Sequence, residues 1–224
     1  VYTLSDEGVW CNLYGGSELD TEWVGNHIQL LQETDYPWDG AVSITLKEVP
    51  EKKSLSLFLR VPEWCTKATL AVNDVPVTTD LKAGTYAEIK RIWKKGDRVA
   101  FVMGMEPVLL ESHPLVEETR NQVAVKRGPV VYCLESMDVE AGKRIDDILI
   151  PADIKFSPVK TEIAGSRVTV LDGIAHSVDS DSWEGKLYRK VAENGDRIPI
   201  RLIPYYAWGN RGESEMTVWM LLER

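Results

Sequence analysis

Two neighbouring stretches decide the fold class: AVSITLKEV at residues 41–49 and SLSLFLRV at residues 54–61. In both, apolar residues occupy every second position, so that Val42, Ile44 and Leu46 share one side of the first stretch. A period of two is typical of a half-buried β-strand, because successive side chains of a strand point to opposite faces. The pattern predicts antiparallel sheets with one packed face and one solvated face.

The same alternation returns along the chain, for example in DRVAFVM at residues 97–103, and turn-forming pairs such as Asp39-Gly40 interrupt it at short intervals. No stretch of ten residues has a helical pattern, which excludes parallel folds that need crossover helices. The sequence predicts an all-β chain of two consecutive antiparallel β-sandwich domains. The polar segment SHPLVEETRNQ places their boundary, giving domains at residues 1–112 and 113–224.

Composition excludes several classes of partner. The chain has 224 residues, with 26 Lys and Arg against 35 Asp and Glu, which gives a net charge of −9. Such an acidic balance argues against nucleic acid as a partner, since phosphate binding relies on clustered basic residues. No apolar run approaches the roughly 20 residues that a membrane helix needs, so no membrane partner is predicted either.

The cysteines do not form a recognisable catalytic or metal-binding pattern. Cys11, Cys65 and Cys133 are odd in number, widely separated and without a C-x-x-C spacing. Each stands in or beside a strand-like stretch, where a free thiol usually behaves as a small buried apolar group. We therefore predict three buried thiols rather than a zinc site or a disulfide framework.

Aromatic residues give the most unusual signal, with eight tryptophans and eight tyrosines against three phenylalanines. Tyr36 and Trp38 stand in the loop-like stretch YPWDG, and Tyr206 and Trp208 stand in IPYYAWGNRG. Flat rings with a polar edge suit interfaces and the stacking of sugar rings. We predict that these four residues contact carbohydrate or another domain, with ordinary packing as the alternative.

Carboxylates beside aromatic rings in QETDYPWDG allow a further hypothesis. A glycosidase needs two carboxyl groups on either side of the scissile bond, and Glu33, Asp35 and Asp39 lie in a setting that could raise a carboxyl pKa. A small complete glycosidase is therefore one alternative. Turn formation is the other interpretation, because Pro37 fixes φ and Asp39-Gly40 can close a loop.

Several segments, taken in order, carry a resemblance to a known family. They are VWCNLYGGSEL at 9–19, QETDYPWDG at 32–40, LFLRVPEWC at 57–65, and the pair KRGPVVYCLE at 126–135 with IPYYAWGNRG at 203–212. Over essentially the whole chain, this series resembles the C-terminal half of glycoside hydrolase family 127, the β-L-arabinofuranosidase-like family.

The resemblance implies β-sandwich domains that follow an N-terminal (α/α)6 catalytic barrel. It also implies a zinc-bound cysteine nucleophile in that barrel, within an adjacent Cys-Cys pair and a Glu-x-Cys motif, neither of which occurs in these residues. We therefore expect a non-catalytic accessory region of a hydrolase of plant-type glycans, with no catalytic residue, metal ligand or cofactor of its own. Its expected partners are a barrel of the same polypeptide, on which it docks, carbohydrate, and a second copy of the chain in a homodimer. The alternative is a free-standing carbohydrate-binding module.

Overall fold

The computed structural model describes residues 1–178, 185, 187, 188, 190 and 195–223. It divides into two compact units, Val1–Glu106 and Pro107–Arg224. The described residues form strands, turns and 3-10 turns of three residues, which confirms the all-β class. The polar segment predicts a boundary after residue 112, whereas strand Pro107–Leu110 pairs with Gln122–Arg127 and so belongs to the second unit.

The first unit contains ten strands in two sheets. In chain order they are β1 (Tyr2–Ser5), β2 (Gly8–Cys11), β3 (Ser17–Trp23), β4 (Asn26–Thr34), β5 (Ala41–Glu48), β6 (Ser54–Arg60), β7 (Ala68–Val72), β8 (Val75–Pro76), β9 (Tyr86–Ile92) and β10 (Arg98–Met103). One sheet has the order β1-β2-β6-β9 and the other the order β3-β4-β5-β10-β7-β8. All pairings are antiparallel except that of β2 with β6, which is parallel.

A single core lies between these two sheets. Val42, Ile44 and Leu46 of β5 are buried there, as the alternation predicts, together with Leu57 of the opposite sheet and Phe101 of β10. Burial of apolar area at about 25 cal/mol per Å² is what holds such a two-layer arrangement together. The first unit is therefore the predicted β-sandwich.

Strand β6 departs from simple alternation because its outer face is also covered. Phe58 points away from the core, yet it is only 8% exposed. The indole of Trp10 lies flat on the Phe58 ring, with centroids 3.8 Å apart and planes 9° apart. Neighbouring Ser56 is covered by Glu88, which accepts its hydroxyl hydrogen bond at 2.7 Å.

In the part of the second unit that the structure describes, nine strands form one sheet. They are β11 (Pro107–Leu110), β12 (Gln122–Arg127), β13 (Val130–Glu135), β14 (Ile148–Pro151), β15 (Ser157–Ile163), β16 (Ser166–Ser177), β17 (Arg197–Pro204), β18 (Met216–Thr217) and β19 (Met220–Glu223). Six of them close into a ring, β12-β19-β14-β16-β17-β13, because β12 pairs with both β13 and β19. Where the sequence predicts two stacked sheets, this unit thus forms a barrel, and its β14–β19 pairing is parallel.

Two apolar clusters lie on opposite sides of the barrel wall. Tyr132, Leu134 and Leu202 belong to the inner cluster. Cys133 and Ile203, their sequence neighbours, belong to an outer cluster. Since neighbouring strand residues point to opposite faces, β13 and β17 are buried on both sides here. The outer cluster supports the segment that follows β17.

Candidate functional site

Tyr36 and Trp38 lie in the loop between β4 and β5, which we call the first-unit loop (residues 35–40). Tyr36 is half-buried, with its ring 6.4 Å from that of Trp64 and 6.0 Å, edge-on, from that of Tyr14. Burial raises the pKa of its phenol, and a hydrogen bond with Trp64 opposes that rise. Tyr36 therefore packs against the core, whereas Trp38 is 39% exposed.

Backbone hydrogen bonds close the first-unit loop. The amide of Trp38 donates to the carbonyl of Asp35 at 2.9 Å, and the amide of Ala41 donates to Asp39 Oδ1 at 2.9 Å. Gly40 is required at the end of the loop, because an added Cβ would lie 2.0 Å from the Met103 carbonyl oxygen. These contacts give Asp39 the role of a turn residue and favour that interpretation over acid–base chemistry.

Tyr206 and Trp208 lie in the segment after β17, which we call the second-unit loop (residues 205–212). Its first three residues form a 3-10 turn, closed by a hydrogen bond from the Trp208 amide to the Tyr205 carbonyl at 3.1 Å. Tyr205, Tyr206 and Trp208 are 47%, 53% and 44% exposed, while Ala207 points into the outer cluster. The loop thus presents three large rings to solvent, one more than the sequence singled out.

A buried carboxylate holds the second-unit loop in place. Glu135, the last residue of β13, is 0% exposed. Its Oε1 accepts hydrogen bonds from the Gly209 amide at 3.1 Å and the Ser214 hydroxyl at 3.0 Å, and its Oε2 accepts one from Arg211 Nε at 2.9 Å. Every donor comes from the loop or from the residues just after it, so that Glu135 anchors the loop to the barrel.

Arg211 links that carboxylate to a second one. Its Nη1 donates to Asp138 Oδ1 at 3.1 Å, and its Nη2 contacts both Glu135 and Asp138. Burial raises the pKa of Glu135, but the hydrogen bonds from Arg211, Gly209 and Ser214 outweigh this and leave the pKa below its usual value. The hydrogen bond with Asp138, and then that with Glu135, raise the pKa of Arg211. Glu135 and Arg211 are therefore charged near neutral pH.

The sequence did not predict this network, although both of its ends stand in the quoted segments KRGPVVYCLE and IPYYAWGNRG. A signal for it was present, because a glutamate that ends an apolar strand needs a cationic partner if it is buried. The consequence is a fixed aromatic surface: Tyr205, Tyr206 and Trp208 lose little conformational freedom on binding, since their backbone is already held.

The four predicted aromatic residues are divided equally between the two units. Tyr36 and Trp38 belong to the first unit, and Tyr206 and Trp208 belong to the second. Only the second pair combines high exposure of both rings with an anchored backbone. We therefore take the second-unit loop as the candidate functional site.

The cysteines are buried free thiols, as predicted. Burial raises the pKa of Cys11 and of Cys133 to about 12, and it also raises that of Cys65. A thiol with such a pKa is protonated near neutral pH, and the thiolate is the form that attacks or binds a metal. Within residues 1–178 and the later described residues, no group of three or more His, Cys, Asp and Glu could hold a metal ion.

In the described part of the chain, no helix has the length and apolar character needed to cross a membrane.

Comparison with known proteins gives matches along nearly the whole chain. Residues 8–105 match the model of the β-L-arabinofuranosidase GH127 middle domain, and residues 107–221 match that of the glycoside hydrolase family 127 C-terminal domain. A non-reducing end β-L-arabinofuranosidase from Bifidobacterium longum subsp. longum is 30% identical over 198 residues, which are 84% of this chain and 29% of that enzyme.

Solved structures give the same result. A glycoside hydrolase aligns with a TM-score of 0.93 and 60% identity, over 100% of this chain and 37% of its own. A GH127 β-L-arabinofuranosidase from Geobacillus stearothermophilus T6 aligns with a TM-score of 0.89 and 37% identity, over 99% of this chain and 35% of its own. The chain thus spans about a third of the length of these relatives.

Proposed function

This chain belongs to glycoside hydrolase family 127, of which it contains the middle and C-terminal domains, and we propose that it is the non-catalytic accessory region of a β-L-arabinofuranosidase-like enzyme. The observation that carries the proposal is the pair of domain matches, which together fill the chain while it covers only 29% of the Bifidobacterium enzyme. The catalytic (α/α)6 barrel then lies elsewhere in the same polypeptide, and its substrates are plant-type glycans.

The burial of the three cysteine thiols supports the proposal that the catalytic residues lie in the barrel and not in this chain. The family resemblance implies a zinc-bound cysteine nucleophile, which requires thiolates that converge on one ion. Cys11 and Cys65 are buried in the core of the first unit, and Cys133 is buried in the outer cluster of the second. These cysteines do not fit that role, so the proposal assigns the zinc to the barrel and no reaction step to this chain.

Under the accessory role, the second-unit loop serves as an interface. Tyr205, Tyr206 and Trp208 form an exposed aromatic surface on an anchored backbone, and exposed aromatic rings are enriched at the centres of interfaces. We propose that this surface packs against another domain of the same polypeptide. Burying the three rings there would stabilise the larger protein by the usual hydrophobic contribution.

The same exposed rings favour one alternative, a free-standing carbohydrate-binding module in which the second-unit loop stacks on a sugar. In that case the isolated chain would bind a glycan, and Trp208→Ala would abolish binding without unfolding the protein. Under the accessory role, Trp208→Ala changes neither the glycan binding nor the folding of the isolated chain. It lowers the stability of the full-length enzyme instead.

The test of the non-catalytic role is a hydrolysis assay with the purified chain and p-nitrophenyl L-arabinofuranosides of both anomeric configurations. We expect no release of p-nitrophenol above the rate without protein, and release by the full-length enzyme under the same conditions. Turnover by the chain that Asp39→Asn abolishes would overturn the proposal in favour of a complete small glycosidase.

A further inference from the structure

A groove of about 510 Å³ lies on the outer face of the barrel, along β16 and β17. Two cross-strand pairs form its floor, since Asp172 of β16 is opposite Arg201 of β17 and Ile174 is opposite Pro199. Asp138 and Lys155 also line it. A volume of this size is within the range of small-ligand sites, about 300–1,000 Å³.

The wall that carries Lys155 is fixed by packing. Phe156 packs over Gly173 of β16, where an added Cβ would lie 2.9 Å from the aromatic ring. The glycine therefore allows the segment between β14 and β15 to approach the barrel. A second depression, of about 450 Å³, shares Lys155 and Ile174 with the groove and continues it toward Arg197.

Charged groups line the groove in balanced number, two acidic and two basic, and most are already oriented. Arg201 Nε and Nη2 donate to the two carboxylate oxygens of Asp172 at 2.7 and 2.8 Å, a bidentate geometry that fixes both side chains. Asp138 is held by Arg211. Among the residues that the structure describes, the Lys155 ammonium forms no ion pair and can donate to a ligand.

Between the charged groups lies an apolar strip. Ile174 is 43% exposed, and its neighbour across the strands is Pro199. A surface that combines an apolar strip with fixed donors and acceptors matches a sugar ring, which has C–H faces and hydroxyl groups that both donate and accept. The balance of charge does not favour a phosphate or a polyanion, because two carboxylates offset the two cations that line the groove.

We propose that this groove is a binding site for a neutral saccharide. The site differs from the second-unit loop and does not depend on the accessory role, because all its lining residues belong to the second unit. Arg201, Asp172 and Lys155 bind the hydroxyl groups, and the Ile174–Pro199 strip contacts a C–H face of the ring.

The test is an NMR titration of the ¹⁵N-labelled chain with xylotriose, arabinotriose and galactotriose, and with the anionic trigalacturonate. We expect at least one neutral trisaccharide to shift the amides of residues 155–157, 172–174, 200 and 201, with a Kd of about 1 mM, as befits a shallow site. Trigalacturonate should bind more weakly than that trisaccharide.

The variant that tests the site is the double substitution Asp172→Leu with Arg201→Met, which removes the pair together and leaves no unpartnered charge. An exposed ion pair contributes only about 0–1 kcal/mol to stability, so the fold should persist while saccharide affinity falls at least about tenfold. The matched control, Glu48→Leu with Lys95→Met, removes an exposed ion pair of the first unit and should leave affinity unchanged.

Three results would overturn the proposal: no shifts with any neutral trisaccharide, unchanged affinity in the Asp172/Arg201 double variant, or shifts confined to residues 205–208. The last result would identify the second-unit loop as the saccharide site instead. None of the three bears on the hydrolysis assay, so failure of this site and failure of the accessory role are distinguishable.

Discussion

The first-unit loop and the second-unit loop look alike in sequence, YPWDG against PYYAWG, but the protein uses them differently. The first turns Tyr36 inward against Trp64 and closes through backbone hydrogen bonds. The second turns Ala207 inward, leaves Tyr205, Tyr206 and Trp208 exposed, and is anchored by the buried Glu135. The exposed second-unit loop is thus held by Glu135, a residue outside the loop, whereas the first-unit loop is held by the packing of its own Tyr36 ring.

The largest expected effect comes from breaking the Glu135–Arg211 ion pair that anchors the second-unit loop. Arg211→Met leaves the fully buried Glu135 carboxylate without its cation, and breaking a buried ion pair in this way typically costs about 3–5 kcal/mol. We expect a loss of that size in the free energy of unfolding of the second unit, measured by urea denaturation followed through NMR signals of β13 and β17.

The double variant Glu135→Leu with Arg211→Met should recover part of this stability, because no unpaired carboxylate remains at position 135. As a matched control, Arg144→Met removes an exposed ion pair with Asp146 and should cost less than about 1 kcal/mol. A loss below about 1 kcal/mol in Arg211→Met would mean that Glu135 does not anchor the loop.

A smaller effect separates the two loops directly. Tyr36→Ala removes a half-buried ring from the first unit and should cost about 2 kcal/mol, less than the 3–5 kcal/mol of a fully buried aromatic residue. Trp208→Ala removes an exposed ring and should cost less than about 0.5 kcal/mol in the isolated chain. Thermal denaturation of both variants measures the difference, and equal losses would remove the distinction between packed and exposed loops.

Acid should weaken the second unit through Glu135, and this is the smallest effect. Burial raises its pKa, but its hydrogen bonds lower the pKa by more, so the net shift is below the ordinary value of 4.5. A lowered folded pKa stabilises the protein above the unfolded value, and that stability is lost as the pH falls through the folded value.

The comparison that isolates this contribution sets the wild-type chain beside the Glu135→Leu, Arg211→Met double variant. Between about pH 5.5 and about pH 3, the wild type should lose more free energy of unfolding than the double variant. Parallel losses in the two proteins, followed by urea denaturation at each pH, would show that Glu135 does not titrate as proposed.

The period-two pattern of apolar residues predicted those features of the fold that depend only on residues close together in the sequence. Val42, Ile44 and Leu46 share a buried face because a strand alternates, and no distant partner is needed to see it. Closure of the second unit depends on the pairing of Gln122 with Leu221, residues almost a hundred positions apart, and no local pattern encodes such a register.

The candidate site was predicted only in part for the same reason. Tyr206 and Trp208 stand out by residue type, but Glu135 is separated from Arg211 by most of the second unit, and its burial follows from the barrel that encloses it. Tyr36 illustrates the converse: its residue type suggests a surface role, and the contact with Trp64 places it against the core.

Hydroxyl-radical footprinting of the isolated chain and of the full-length enzyme tests the central claim most directly. If the second-unit loop packs against another domain of the same polypeptide, oxidation of Tyr205, Tyr206 and Trp208 should be several-fold slower in the full-length enzyme. Oxidation of Tyr188, which is 90% exposed, serves as the reference in both proteins. Equal oxidation rates for the three rings in the two proteins would contradict the claim.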